Sequence, residues 1–452
     1  MLTVKNIYDS YQKLDNQEVT ILGFVKQNRF NGTIGFINLN DGTNLNHIQI
    51  VYKKDTLTNA DEVCAARNGA AIKVVGQLIV TPKMQQPFEI QAKEIVLLKQ
   101  TDESYPLQNK KQGWEFLRDN AELRPRTNIF NAIMRIRSEL AFAIHNFFHN
   151  ENYIWVATPL ITSNDGEGAG ETFFLTTNEK EEFFGQKVNL TVTGQLHGEA
   201  YAQAFRNIYT FGPTFRAEKS HTARHAAEFW MIEPEMAFCD LNGLMDVVEK
   251  MIKFTINHFK TSCQNEIAFL EKELDPQITQ RIDNLLNKNF TKMSYQEGIE
   301  ILKTAVSNGH IFEDNNIFFG MDLGSEHERY LCEEITNGPL FLYNYPKDIK
   351  AFYMKQNDDN VTVAATDLLV PGIGELVGGS QREDDFNKLM ERCTTLKMDI
   401  KPLEWYLNLR KYGYYMSSGF GLGFERLVMY LTGMNNIRDV IPFPRTHGAI
   451  NF

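Results

Sequence analysis

Phe215-Arg216-Ala217-Glu218, then Arg224-His225-Ala226-Ala227-Glu228-Phe229, and far downstream Gly419-Phe420-Gly421-Leu422-Gly423-Phe424-Glu425-Arg426-Leu427: these stretches decide how the chain is read. A lone arginine near glycines says little. Here one arginine is followed by a glutamate, a histidine and a Glu-Phe pair at fixed offsets. The other sits where a glycine-rich strand runs into a helix, since the alternate glycines at 419, 421 and 423 give way to Phe424-Glu425-Arg426-Leu427.

Upstream, residues 1–97 are β-rich. Val19–Val25, Thr33–Leu39, Ile48–Tyr52, Ala71–Val80 and Phe88–Leu97 are rich in β-branched and aromatic residues, with Gly and Asn in the gaps. A helical stretch, Asn59–Arg67, falls between the third and fourth strands. Five strands with a helix there fit an OB-fold, a small barrel that often binds oligonucleotides, although an SH3-like barrel has a similar pattern. Residues 101–127, broken by Pro106, Gly113 and Pro125, read as a hinge. Ile133, Ile136, Leu140, Ala143, Ile144 and Phe147 then recur at helical spacing, ahead of an apolar strand Tyr153–Val156 that stops at Pro159. Residues 240–350 alternate helical segments (Leu241–Phe259, Ser294–Asn308) with polar stretches and read as an insertion.

The 452 residues suffice for two or three domains, and 43% apolar with 23% charged residues is the balance of an ordinary globular protein. The five cysteines stand singly, without a CxxC pair, so neither a zinc site nor a disulfide framework is expected. No apolar stretch is long enough to span a bilayer and the first residues do not read as a secretory signal, so a cytoplasmic protein is expected. The net charge of −11 argues against blanket binding to a polyanion. It is unevenly spread: residues 1–97 hold ten Lys and Arg against nine Asp and Glu, a net +1, so the remaining 355 residues carry −12. A local RNA site in the N-terminal region is compatible with this balance.

The two arginine-bearing stretches resemble motifs 2 and 3 of the class II aminoacyl-tRNA synthetases, and the helix, strand and Pro159 resemble motif 1, their dimer interface. Glu375-Leu376-Val377-Gly378-Gly379-Ser380-Gln381-Arg382 resembles the subclass that handles aspartate, asparagine and lysine. Within it, Glu167-Gly168-Ala169-Gly170-Glu171, Asp322-Leu323-Gly324-Ser325-Glu326-His327-Glu328, Asn344-Tyr345-Pro346-Lys347-Asp348 and the tail from Asn436 to Thr446 resemble the bacterial-type asparaginyl enzymes, along essentially the whole chain. The resemblance implies an α+β protein: an OB-fold anticodon-binding domain over 1–100, a hinge over 101–127, and a class II catalytic domain over 128–452, an antiparallel sheet flanked by helices. It implies ATP and Mg²⁺, L-asparagine, tRNA(Asn) and a homodimer. No GxxxxGK[ST] loop occurs, so ATP would be held without a P-loop.

Residue roles follow by the same resemblance. Arg216 would clamp the α-phosphate, for which a guanidinium is bidentate. Arg426 would hold the γ-phosphate and one face of the adenine, with Phe229 on the other. His225 would contact phosphate and Glu218 the adenine amino group. Asp367 and Glu375 would bind Mg²⁺, an ion that prefers oxygen ligands. Gln195, Glu167 and Glu233 would hold the α-amino group, Glu228 would help fix the pocket, and Arg382 would reach the substrate side chain. On the barrel, Phe36 would stack on an anticodon base, Gln49 would read its edge and Arg29 would contact the backbone; Lys219 and His221 would face the acceptor end of tRNA. Phe24 is open between core and contact, and His327 and Glu328 read as a structural pair.

Gly198, in Gln195-Leu196-His197-Gly198, stands where the aspartate enzymes carry a lysine that pairs with the substrate carboxylate. Without that cation a buried carboxylate lacks a partner, whereas an amide needs none. The competing readings are an aspartyl enzyme, an inactive RNA-binding paralogue, and an ammonia-dependent asparagine-forming relative, which would lack the anticodon domain. Two departures stand out: Met416 and Ser417 replace a frequent Pro-His, and His447 a common proline.

Overall fold

The computed structural model describes residues 1–84, 86–108, 110–164, 166, 171–177, 182–220, 222–450 and 452. The chain divides into two compact units, Met1–Asn131 and Ala132–Phe452.

In the first unit β1 (Glu18–Phe30), β2 (Ile34–Asn40), β3 (Ile48–Lys53), β4 (Ala71–Val80) and β5 (Phe88–Lys99) close a barrel in the order β1-β2-β3-β5-β4. The alternation that marks these strands in the sequence sends Ile21, Ile37, Ile50, Val74 and Ile90 inward, all fully buried. β1 is long enough to pair with both neighbours because its register shifts between Val25 and Gln27, a bulge that turns the strand from β4 towards β2. Gly35 has no room for a side chain: a Cβ there would lie 1.9 Å from the Tyr52 ring. The stretch read as a helix over 59–67 contracts to Ala60–Cys64. The stretch read as a hinge is packed rather than free: its Leu107 and Leu117 form a small core with Phe130 of the helix that follows, and the Arg124 guanidinium lies 4.3 Å from the Phe130 ring centroid. Two buried leucines scattered through a polar stretch show no period, which is why the sequence reads as a linker.

The second unit is built on a sheet whose strands, with a small side sheet, are β6 (Ile154–Trp155), β7 (Ile161–Thr162), β8 (Phe174–Leu175), β9 (Val188–Leu190), β10 (Asn207–Phe215), β11 (Glu228–Ala237), β12 (Thr291–Ser294), β13 (Leu340–Pro346), β14 (Thr362–Val370), β15 (Gly374–Gln381) and β16 (Ser417–Gly423). The main order is β12-β13-β14-β15-β16-β11-β10-β6; β7, β9 and β8 form the side sheet. The expected antiparallel sheet holds through its six central strands, but both edges are parallel, β12 to β13 and β6 to β10, so the sheet is mixed. A parallel neighbour needs a long crossover, and the helix Tyr295–Ser307 supplies one between β12 and β13. That helix starts where the sequence places it, with Ser294 and Glu297 in a reciprocal cap. Residues 240–350, read as an insertion, therefore contribute two strands to the main sheet. The helix Asn128–Asn150 buries the whole periodic stripe Ile133–Phe147 within this chain, and Phe148 stacks on Tyr209 of β10 at 4.5 Å. The architecture is α+β.

Candidate active site

Strand alternation decides which side chains meet. On β11, Phe229, Met231, Glu233 and Glu235 share one face, and Glu228 and Trp230 the other. The register sets Thr210 of β10 opposite Glu233 and Gly419 of β16 opposite Glu235, with Gly421 of β16 beside Gly378 of β15 and Gly378 beside Asp367 of β14. The glycines leave an open floor. Gly419 must be a glycine, because a Cβ there would sit 2.3 Å from the Glu235 carboxyl.

At one end of this floor a cavity of about 150 Å³ is lined by Arg216, Glu218, His225, Phe229, Glu375 and Arg426. Arg216 leaves β10 with its guanidinium 5.5 Å from the Phe229 ring centroid. His225 Nε2 faces Glu218 Oε2 at 3.5 Å. Arg426, on the helix Phe424–Thr432, donates through Nη1 to the Glu375 backbone oxygen at 3.1 Å and lies 3.3 Å from its carboxylate. The next residue back, Glu425, is buried; it pairs with Arg137 at 2.7 Å and accepts the Trp230 backbone N–H, which ties the start of that helix to β11. The six ATP-side residues read from the sequence thus line one cavity.

Asp367 and Glu375 point at the same space. Their oxygens lie 3.3 and 3.0 Å from where a Gly378 Cβ would stand, so the missing side chain leaves a cradle between two carboxylates. Lys350 pairs with Asp367 at 2.7 Å. Burial first, then Glu375, raises the Asp367 pKa against the pull of Lys350. Glu328 stands beside them: burial, Glu375 and Asp367 push it up to about 7. Of the pair read as structural, only His327 is clearly so, with its ring accepting from Gly324 N–H and bonded to the Asp314 carbonyl. Two hard oxygen donors converging on one gap fit Mg²⁺.

At the other end lies the amino-acid side. Glu233 is buried and held by three uncharged donors: the Thr193 hydroxyl, the Gly194 N–H at 2.9 Å and the Thr210 hydroxyl at 3.1 Å. Gln195 begins the helix Gln195–Phe205 and donates through Nε2 to Glu199 at 3.0 Å. Arg382, fully enclosed, forms a two-pronged pair with Glu235, Nε to Oε2 at 3.0 Å and Nη2 to Oε1 at 2.5 Å, and donates through Nη1 to Ser380. Burial raises the Glu235 pKa, and Glu199 and Glu233 add to the rise, while Arg382, gripping both carboxylate oxygens, opposes it. Gly198 abuts this pair, for a Cβ there would lie 3.5 Å from Glu235 Cγ.

Glu228 is not brought to this group: it is exposed, on the far face of β11. Glu167 and His221 lie outside the described residues. Lys219 is exposed in the loop between β10 and β11. On the barrel, Arg29 pairs with Phe36 across β1 and β2, and Gln49 sits opposite Asn38 on β3, so all three share the outward face. Gln49 donates to Glu89 at 3.2 Å. Phe24 is half exposed, under Arg126. Sequence reasoning gave no role to Glu235, although its position two residues after Glu233 on a strand was a signal for the same face. It also passed over Glu199, one helical turn after Gln195, and Glu425 and Arg137, whose partnership spans most of the chain.

A family model described as "tRNA synthetases class II (D, K and N)" matches residues 115–447. The asparagine–tRNA ligase of Ureaplasma urealyticum is 57% identical over the full length of both chains, and that of Malacoplasma penetrans 52% identical over 100% of this chain and 99% of its own. The chain belongs to the class II asparagine–tRNA ligase family. Among solved structures, asparaginyl-tRNA synthetase from Pyrococcus horikoshii complexed with asparaginyl-adenylate superposes with a TM-score of 0.89 at 31% identity, covering 99% of each chain. The Entamoeba histolytica enzyme, also with asparaginyl-adenylate, gives 0.84 at 25% identity over 96% of this chain and 97% of its own. Family membership accords with the geometry: an arginine-lined cavity, a carboxylate cradle and a buried Arg–Glu pair on one glycine-floored sheet face.

Proposed function

We propose that this protein activates L-asparagine with ATP and transfers the asparaginyl group to tRNA(Asn). The observation that carries the reading is the pair at the pocket floor. Arg382 uses three of its five N–H donors on Glu235 and Ser380, which leaves two for a ligand, while Glu235 offers acceptor lone pairs beside them. A carboxamide presents a carbonyl oxygen to the arginine and an NH₂ to the glutamate. A substrate carboxylate would only accept, and would meet Glu235 with no cation at Gly198 to offset it.

Asparagine's α-ammonium is held by Glu233, whose donors are all neutral, and by the Gln195 carbonyl. Its carboxylate attacks the α-phosphate of ATP and pyrophosphate leaves. Charge grows on the phosphorus oxygens, where Arg216 stabilises it; Arg426 anchors the γ-phosphate end, Phe229 and Arg426 enclose the adenine, and Glu218 and His225 line the same cavity. Asp367 and Glu375 hold Mg²⁺, which supplies further neutralisation of phosphate charge when bound. The terminal ribose hydroxyl of tRNA then attacks the activated carbonyl, its proton passing to the phosphate oxygen of the departing AMP. Arg29, Phe36 and Gln49 read the anticodon from the barrel face, and Lys219 meets the acceptor end. The enzyme works as a cytoplasmic homodimer; no helix of the described residues is long and apolar enough to cross a membrane.

ATP–pyrophosphate exchange with asparagine and aspartate side by side tests the reading. A pocket matched to hydrogen-bonding groups discriminates by about 10⁴ or more, so exchange is expected with asparagine alone. Equal exchange with aspartate overturns the reading.

A further inference from the structure

Beneath the amino-acid pocket lies a polar cluster that plays no role in binding ATP. Its centre is Glu199, a carboxylate with no solvent exposure. Oε1 accepts from Gln195 Nε2 at 3.0 Å and from the Tyr406 hydroxyl at 2.8 Å; Oε2 accepts from Arg410 Nη2 and from the Tyr414 hydroxyl, both at 2.8 Å. Arg382 Nε stands 3.8 Å from Oε1. Two guanidinium groups, Arg382 and Arg410, thus face two carboxylates, Glu199 and Glu235. Burial opposes the charge on Glu199, but Arg410 and Arg382 outweigh it and hold the group ionised, with its pKa below the usual value.

An ionised carboxylate only accepts hydrogen bonds. That fixes directions. The Gln195 amide must turn its nitrogen down to Glu199 and its carbonyl oxygen up to the pocket. The Tyr414 hydroxyl has one proton and gives it to Glu199, so it accepts from Ser417, whose hydroxyl it meets at 2.5 Å. The relay runs Ser417 to Tyr414 to Glu199. The Ser417 backbone oxygen accepts the backbone N–H of Arg382 at 2.8 Å, which fixes the two positions side by side.

We infer that Glu199 is a positioning residue for asparagine, which sets the Gln195 amide with its oxygen towards the substrate ammonium, and that Tyr414 and Ser417 hold Glu199 in that role. The inference rests on the asparagine-activating reading above. If Glu199 became an amide, it could donate as well as accept. Gln195 would then be free to reverse and would present N–H to an ammonium group.

The test is ATP–pyrophosphate exchange on the full-length protein, with KM for asparagine and for ATP measured separately for Glu199→Gln, Tyr414→Phe and Ser417→Ala. Glu199→Gln is expected to raise the asparagine KM about tenfold or more, and Tyr414→Phe several-fold, while the ATP KM stays within about twofold. Because Ser417 acts through Tyr414, adding Ser417→Ala to Tyr414→Phe should change the asparagine KM no further, a non-additive result expected of one chain of contacts. A merely structural role would instead lower the melting temperature and move both KM values together. Should Glu199→Gln fail to fold, the Tyr414→Phe and double-variant comparison decides. An asparagine KM unchanged in folded Tyr414→Phe, or an ATP KM that rises in parallel, overturns the inference. Absence of asparagine-dependent exchange in the unaltered protein would instead overturn the functional reading itself.

Discussion

At the scale of single residues, the site depends on what is absent as much as on what is present. Gly419 leaves room for the Glu235 carboxyl, and a methyl group there would stand 2.3 Å from it. Gly419→Ala should therefore push Glu235 off Arg382 and lower asparagine activation by about a hundredfold, since a buried ion pair that loses its geometry leaves charge unpaired. ATP binding, followed by fluorescence, should persist; loss of both would show that β16 itself had moved. Arg426→Ala should abolish exchange while the far-UV circular dichroism is unchanged, because its role is met by a ligand; exchange near the unaltered rate would remove Arg426 from the ATP site. The cavity-lining arginines and the two carboxylates beside Gly378 could be singled out in the sequence because they sit in stretches with fixed neighbours. Glu235, Glu199 and Arg410 were not assigned roles, because their meaning lies in partners 147 to 211 positions away. Glu228 lies on the opposite face of its strand from Glu233, a difference that two-residue alternation alone would have exposed.

Among elements, strands were the most readable and the segment after them the least. All five barrel strands follow from β-branched alternation, whereas the core around Phe130 follows no period. The barrel also carries a pH dependence. Burial, with Lys26 nearby, lowers the His47 pKa from 6.5 to about 4. Below pH 6.5 the unfolded chain takes up a proton that the folded ring refuses until about pH 4, so the barrel should lose stability as pH falls across that window. Linkage sets an upper limit of ~3 kcal/mol, reduced because solvent reaches the half-buried ring. His47→Gln removes the titration. Calorimetry of the full-length protein between pH 4 and 7 should show a first transition that falls with pH in the parent and much less in the variant; parallel slopes would clear His47 of the effect.

At the scale of the whole molecule, the exposed apolar surface is where a second copy would be expected to meet the first. The helix stripe Ile133–Phe147, expected from the sequence to meet a second copy, is already buried within one chain, with Phe147 against Phe254. What remains outward is different: Phe142 on the helix's other face, Ile154 and Trp155 of β6, then Leu160 and Ile161, each between 40% and 60% exposed. β6 is also the terminal strand of the main sheet, two residues long, with its outer edge unpaired among the described residues. Exposed apolar side chains beside a bare strand edge invite a partner, and two-fold pairing of identical copies is the commonest solution. Sedimentation should then give about twice the 52.0 kDa chain mass. Trp155→Glu, which sets a charge at that edge, should shift the protein to the monomer; because Trp155 also lines a cavity with Glu233, sedimented mass and not exchange is the readout. Changes to the buried stripe of the same helix are no substitute, because Ile136→Glu or Leu140→Glu would unfold the chain rather than separate the copies. A Trp155→Glu protein that still sediments at twice the chain mass would move the interface elsewhere, whereas an unaltered protein that is fully active as a monomer would dismiss the dimer altogether.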